Sequence, residues 1–435
     1  MSQSSEERYT AAMRELDSRY AAFHQVGRKA YRPGLETIAA LDAALGNPSR
    51  AFRTVHVAGT NGKGSTASLL ASVLTAAGYR TGLYTSPHLV DFRERIRIDG
   101  LKISKDFVAD FVRRVGSLGL DAEPSYFEVA TAMAFSYFAA EKVDVAVVEV
   151  GLGGRLDSTN IITPLLSVIT NISKDHTAIL GDTEEAIAGE KAGIIKPGVP
   201  VVVGRAEGGV RRVFEEKAAQ AGAPLIFAAD NPLYTSLRGT GEAVCYCGTP
   251  WGDVSSPLTG RWQQENAATV FNSLVVLSED FDIRPDAVAR GFAQVGRLAG
   301  LCARWMPLRV GDRDFICDTG HNPGAWQELG PRLATLHPAG KLRMVLGFVS
   351  DKNIDAMLPY MPREAEYYFV APESDRARSA ESTAAIFAAA GLRGAACGTV
   401  RAGIDAALAA SSPADIIFVG GSNFTVASLL EEYAG

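Results

Sequence analysis

Short apolar runs alternate along this chain with longer, Ala-rich stretches of helical period. That grammar predicts short strands separated by helices, hence a mostly parallel sheet covered on both faces. The first unit reads as a strand over Arg53–Ala58, a Gly-rich loop, and a helix over Ser65–Ala77. Gly78 then stands where a left-handed residue usually ends a helix, and a strand over Thr81–Tyr84 follows. Val143–Val150 is a continuous apolar run closed by Gly-Leu-Gly-Gly, which suits a central strand buried on both faces. Leu165–Thr170 and Val199–Val203 read as further strands. Asp182 with Glu185 predicts a capping box for a helix running to Ala192.

A second series of strands covers Phe315–Asp318, Arg343–Gly347, Tyr367–Val370 and Ile416–Val419. The Gly- and Arg-rich stretch Gln294–Met306 reads as the join, so the expected domains are residues 1–296 and 297–435. Asn231–Thr259 reads as strands and turns, a small β insertion. The expected fold class is therefore α/β. An N-terminal P-loop-type, mostly parallel sheet flanked by helices carries the insertion, and a smaller Rossmann-like α/β domain follows.

Composition narrows the function. With 435 residues, 47% of them apolar, two or three domains are expected. The net charge of −6 and the lack of a long Lys/Arg run argue against nucleic acid as a partner. An anionic small substrate would need locally placed basic groups. The five cysteines are odd in number and form no C-x-x-C pair, which disfavours a disulfide scaffold and favours a reducing cytoplasm. The polar N-terminus has no apolar signal region, and no run of about 18 apolar residues predicts a membrane span.

The loop itself is Gly59-Thr60-Asn61-Gly62-Lys63-Gly64-Ser65. Backbone N–H groups of such a turn converge on phosphate oxygens, and the following helix N-terminus adds favourable partial charge. Lys63 is placed to neutralise a transferred phosphate, and Ser65 to reach a magnesium ion. The spelling departs from G-x-x-x-x-G-K-[ST]: Val57 takes the first Gly position and Gly64 the Ser/Thr position.

Val57-Ala58-Gly59-Thr60-Asn61-Gly62-Lys63-Gly64-Ser65 resembles the signature of folylpolyglutamate and dihydrofolate synthases, within the Mur ligase superfamily. Tyr84–Leu89, Glu149–Asp157, Asp175-His176-Thr177, Glu190–Ile194, Asp318–Pro323 and Gly421–Thr425 are similar to further family motifs, in the family's order. The N-terminal stretch Phe23–Gly46 resembles that of bacterial members, many of them bifunctional.

The resemblance implies a ligase that uses ATP to join L-glutamate to a folate, and to dihydropteroate if bifunctional, through an acyl phosphate. It assigns ATP to Gly59–Ser65, Asn266, Arg304, Asp318 and His321. Arg304 competes with Arg297 for its role and is preferred because Trp305 follows it. The resemblance implies two Mg2+ sites drawn from Ser65, Ser86, Glu149, His176 and Lys191, with Lys191 carbamylated. Lys63, His176 and Lys191 would then be catalytic. On its residue type alone, Lys191 reads instead as a solvated lysine facing a helix dipole. Phe127, Glu128 and Ser422 match substrate positions, although an aromatic at a helix start also suits a core. Arg93, Arg95 and Arg97 lie on an expected strand and either attract an anionic tail or face solvent. A cytoplasmic monomer that closes about the join when it grips ATP is expected. Two other readings are a peptidoglycan Mur-type ligase and a slow nucleotide-hydrolysing switch.

Overall fold

The computed structural model describes residues 4–20, 33–239, 241–336 and 339–433, so the segment 23–32 of the N-terminal resemblance lies outside it. The chain divides into two compact units. One comprises Met1–His88 and Phe92–Leu301, the other Leu89–Asp91 and Cys302–Gly435.

In the first unit, the strands are β1 (Arg53–Ala58), β2 (Thr81–Tyr84), β3 (Ile96–Ile98), β4 (Leu101–Lys102), β5 (Val145–Glu149), β6 (Leu166–Asn171), β7 (Val201–Arg205) and β8 (Leu225–Phe227). They form one eight-stranded sheet in the order β4-β3-β2-β5-β1-β6-β7-β8. The β2–β3 and β3–β4 pairs are antiparallel, and the other pairs are parallel. The uninterrupted apolar run of β5 is explained by its two faces. Val145 and Val147 enter the core beneath the helices Lys63–Ala76 and Arg261–Leu277, while Ala146 and Val148 enter the core beneath Tyr126–Ala140. Gly78 has φ 97°, the left-handed stop expected from sequence.

The expected insertion is a three-stranded antiparallel sheet of β9 (Ser236–Gly239), β10 (Val244–Thr249) and β11 (Gly252–Ser256). Its inner face carries Val244, Tyr246 and Val254 into the main core, where Tyr246 meets the stacked Phe271–Phe292 pair edge-on.

The second unit holds β12 (Met306–Val310), β13 (Arg313–Asp318), β14 (Leu342–Gly347), β15 (Glu366–Ala371), β16 (Gly394–Thr399) and β17 (Ile416–Gly420). The order is β12-β13-β17-β14-β15-β16, parallel except for the β12–β13 hairpin. Its faces also alternate: Met344, Leu346 and Phe418 line one core, and Val345, Ile417 and Val419 the other.

Two local expectations are corrected. The helix Glu184–Ala192 is capped by Thr183, whose hydroxyl accepts from the Ala186 N–H at 3.1 Å, rather than by an Asp182–Glu185 box. Thr183 has the extended backbone an N-cap needs, so the helix starts one residue later. Arg93 and Arg95 lie on a 3-10 turn rather than a strand, and Arg95 and Arg97 are buried instead of facing solvent. The Arg95 Nε donates to His88 Nδ1 at 2.8 Å, and Gly300 packs against the Arg97 guanidinium, where an added Cβ would lie 2.4 Å away.

Candidate active site

In open parallel sheets, ligands bind beyond the carboxyl ends of the strands. In the first unit those ends carry Gly59 after β1, Ser86 after β2, Glu149 on β5 and Asn171 on β6. Val57 pairs with Glu149 in register, so the loop and this carboxylate leave adjacent strands.

The loop is tightly braced. A Cβ on Gly59, at φ 145°, would lie 1.9 Å from Thr170 Oγ1, and one on Gly62, at φ 84°, 2.2 Å from Asn266 Oδ1. Neither position admits a side chain. The Thr60 N–H donates to the Asn171 carbonyl at 2.9 Å and the Asn61 N–H to Asn171 Oδ1 at 3.1 Å. Thr170 Oγ1 donates to the Asn61 carbonyl at 2.6 Å. The end of β6 thus holds the loop open in one shape.

Ser65 is buried in the first turn of its helix. Its Oγ accepts from Gln263 Nε2 at 3.3 Å, and Gln263 Oε1 accepts from Asn266 Nδ2 at 3.0 Å. Asn266 therefore meets the loop directly and through Gln263. No sequence motif marks Gln263. The signal was its place three residues before Asn266, on the same face of one helix.

Two lysines meet at the loop. Lys63 Nζ donates to the carbonyls of Gly59 and Thr60 at 3.1 and 3.2 Å, and Lys191 Nζ donates to the Gly59 carbonyl at 2.8 Å. Lys191 is buried, in the last turn of Glu184–Ala192. Burial, with the nearby Lys63 charge, lowers its pKa to about 7, although Asp175 and Asp157 act in the opposite sense. Two ammonium groups meeting at one carbonyl repel each other, which favours an added anion or an uncharged Lys191.

Glu149 is buried, and its Oε2 accepts from the Ser86 N–H at 3.1 Å. His176 has a left-handed backbone, φ 51°, at the start of the short helix Thr177–Leu180. Its N–H donates to Asp175 Oδ1 at 2.9 Å, and its Nε2 lies 3.9 Å from Asp175 Oδ2.

The candidate substrate residues divide. Phe127 packs over Gly151, where a Cβ would come within 2.4 Å of the ring, and lies 6.0 Å from Tyr84. Glu128 is buried in a capping box: its carboxylate accepts from the Ser125 N–H at 2.7 Å, and Ser125 Oγ accepts from the Glu128 N–H. Its carboxylate is therefore engaged in starting the helix Tyr126–Ala140.

In the second unit, Asp318 ends β13 beside Gly420 of β17. Its carboxylate accepts from the N–H groups of Trp305 and Gly320 at 2.7 and 2.8 Å. Burial raises its pKa, and the Arg304 charge opposes that rise. Arg304 lies between two left-handed residues, Ala303 at φ 54° and Trp305 at φ 47°, a strained turn that brings it onto Thr319. Arg297, by contrast, bonds Gln294 within its own short stretch of helix, in the first unit. His321 Nδ1 donates to the Thr319 carbonyl at 2.9 Å, because a carbonyl only accepts, so its Nε2 is the acceptor when the ring is neutral. Ser422 is buried, and its Oγ accepts from the Thr425 N–H at 3.1 Å, at the start of the helix Asn423–Tyr433.

A braced Gly loop where Lys63 and Lys191 meet, followed by a second α/β unit in which the Arg304 charge acts on Asp318 at a strand end, fits a ligase of the Mur type. The Mur ligase middle-domain model matches residues 57–274, and the model for the Mur ligase glutamate ligase domain matches residues 304–423. The Escherichia coli dihydrofolate synthase/folylpolyglutamate synthase is 33% identical over 406 residues, covering 92% of this chain and 90% of that protein. A bifunctional folylpolyglutamate synthase/dihydrofolate synthase solved with Mn, AMPPNP and L-glutamate bound superposes with a TM-score of 0.80 at 30% identity, covering 99% of both chains. A probable bifunctional folylpolyglutamate synthase/dihydropteroate synthase of Halobacterium salinarum is 34% identical over 91% of this chain. The chain spans about half of that relative's length, 49%. The chain belongs to the folylpolyglutamate synthase/dihydrofolate synthase family of Mur ligases. No helix among the described residues is long and apolar enough to cross a membrane.

Proposed function

We propose that this chain uses ATP to add L-glutamate to a folate and also to dihydropteroate. The observation that carries the reading is the convergence of Lys63 and Lys191 on the Gly59 carbonyl, at the mouth of a loop shaped for phosphate. A carboxylate is a poor acyl donor because its leaving group would be oxide. In the proposed reaction a folate carboxylate oxygen attacks the γ-phosphorus of ATP, the bond to the bridging oxygen breaks, and ADP leaves. The glutamate amine then attacks the acyl carbon, the C–O bond to phosphate breaks, and the amine loses a proton. The chain's share is binding, charge neutralisation and exclusion of water. Loop N–H groups and Lys63 hold phosphate, Asn266 keeps the loop's form, and the family resemblance assigns Arg304, Asp318 and His321 to ATP as well. Phe127 offers a flat face for a pterin. Glu128 and Ser422 act through the helix starts that they cap.

The donors present fit a hard divalent ion. Ser65, Ser86 and Glu149 offer hydroxyl and carboxylate oxygens, and a buried carboxylate at a strand end is costly unless paired or bound to metal. His176 and Lys191 would hold a second ion. Magnesium, when bound, offsets the phosphate charge. Lys191 suits carbamylation: at a pKa of about 7, much of its amine is uncharged near neutral pH. That uncharged amine adds to carbon dioxide, its N–H proton leaves to solvent, and a neutral amine becomes an anionic oxygen ligand. The active form is proposed to be a cytoplasmic monomer.

Phosphate release in magnesium and ATP tests the reading. Release is expected only with both glutamate and a pteroate or folate present. Slow release that ignores both substrates would instead mark a nucleotide switch.

A further inference from the structure

The β9–β11 sheet turns its inner face to the core, so alternation places Cys245 and Cys247 together on its outer face. Cys245 lies opposite Arg238 of β9 and Ser255 of β11, and the irregular register between Tyr246 and Thr249 brings Asp253 alongside. Ligand atoms of Cys245, Cys247 and Asp253 all lie within 4.8 Å of one another, a grouping the ligase chemistry does not use.

The two Sγ atoms are 3.8 Å apart. Two sulfurs on a tetrahedral zinc, each about 2.3 Å from it, are separated by about 3.8 Å. A disulfide fits poorly, since alternate residues of a strand stand roughly 6.8 Å apart, at the outer limit for its Cα atoms. Arg238 Nε donates to Cys247 Sγ at 3.0 Å and its Nη2 donates to Asp253. Asp253 Oδ1 also accepts from the Gly248 N–H at 3.0 Å, which orients the carboxylate. Two thiolates and a carboxylate carry three negative charges, and a divalent ion with the Arg238 guanidinium balances them. A monovalent ion leaves an excess.

We infer that Cys245, Cys247 and Asp253 form a site for Zn2+ or a similar thiophilic divalent cation, with Arg238 as the outer charge partner. Water completes the coordination. The site is separate from the proposed magnesium donors and does not depend on the ligase reading.

Titration of the reduced, metal-free full chain with Co2+, without nucleotide, tests this. One equivalent is expected to give thiolate-to-cobalt charge-transfer absorption and tetrahedral d–d bands, both removed by equimolar Zn2+. The Cys245→Ser/Cys247→Ser variant should lose the charge-transfer band and keep magnesium-dependent activity. His176→Ala should keep the band. Arg238→Ala should weaken Zn2+ binding on the order of tenfold. Zn2+ should raise the thermal midpoint of the wild type but not of the double-serine variant, and a metal-free melt shows whether that variant is folded. Absence of the band, its persistence in the double-serine variant, or its loss in His176→Ala would overturn the assignment.

Discussion

At the scale of single residues, environment decides what each group can do. Lys191 is an ordinary lysine in the sequence, and only burial beside Lys63 brings its pKa to about 7. Lys191→Ala should lower ligase turnover by roughly 10² or more, the size of effect when one transition-state contact is lost. Wild-type turnover in that variant would remove the role. A carbamate carbon signal from labelled bicarbonate, absent in the variant, checks the modification directly. His56 behaves oppositely to a surface histidine. Thr159 donates its hydroxyl proton to Asp157, so its oxygen accepts from His56 Nε2, and the buried Nδ1 finds no partner among the described residues. Burial, helped by Lys196, lowers the His56 pKa from 6.5 to about 3. The unfolded chain therefore takes up a proton that the folded chain refuses. Stability should be fully present above about pH 6.5 and fall toward pH 3, with a slope approaching about 1.4 kcal/mol per pH unit from this group. Denaturant titrations of His56→Gln should show a flatter acid limb than wild type. The Gly59–Ser65 loop was legible because local spelling dictates its turn. The partners of Glu128 and Arg95 were less so, since the capping contact of one and the burial of the other depend on the folded surroundings.

At the scale of elements, alternation and run length placed most strands within a residue or two, because a strand buried on both faces needs an unbroken apolar run. The element ends were less legible. Thr183 won the cap from Asp182 through backbone geometry that composition does not encode. The Arg343–Asp415 pair could not be read from the chain. Arg343 Nε donates to Asp415 Oδ2 at 2.6 Å, and further bonds run to Tyr368 OH and the Ala410 carbonyl. Burial alone would raise the Asp415 pKa, but Arg343, Ser412 and the Lys341 N–H hold it at about 2. The pair ties the start of β14 to the turn before β17. Asp415→Ala removes the carboxylate at Nε and leaves Arg343 paired with Glu366 alone, which should cost about 1.5–3 kcal/mol, the size of a charged hydrogen bond. The midpoint of chemical unfolding, read on a signal from the second unit, measures it.

At the scale of the whole molecule, the remaining question is the acceptor. Supplied with magnesium, ATP and glutamate, the chain is expected to consume both dihydropteroate and tetrahydrofolate, and turnover of only one would remove the second activity. The division after Phe92 falls at Leu301/Cys302, whereas the sequence pattern predicts 296/297, because the short helix Val295–Ala299 buries Val295 and Ala299 in the first unit's core. What the sequence by itself determined is the set of local structures: the loop, its strand and helix, the second α/β series, and the family they mark. These depend on turn chemistry and on periods of neighbouring residues, which a linear pattern contains. Tertiary structure alone decided which distant groups share an environment. Lys191 reaches a carbonyl 132 residues away, and Cys245 and Cys247 meet Asp253 across a strand pair. Burial and charge proximity set those groups' chemistry, and both are properties of the folded chain.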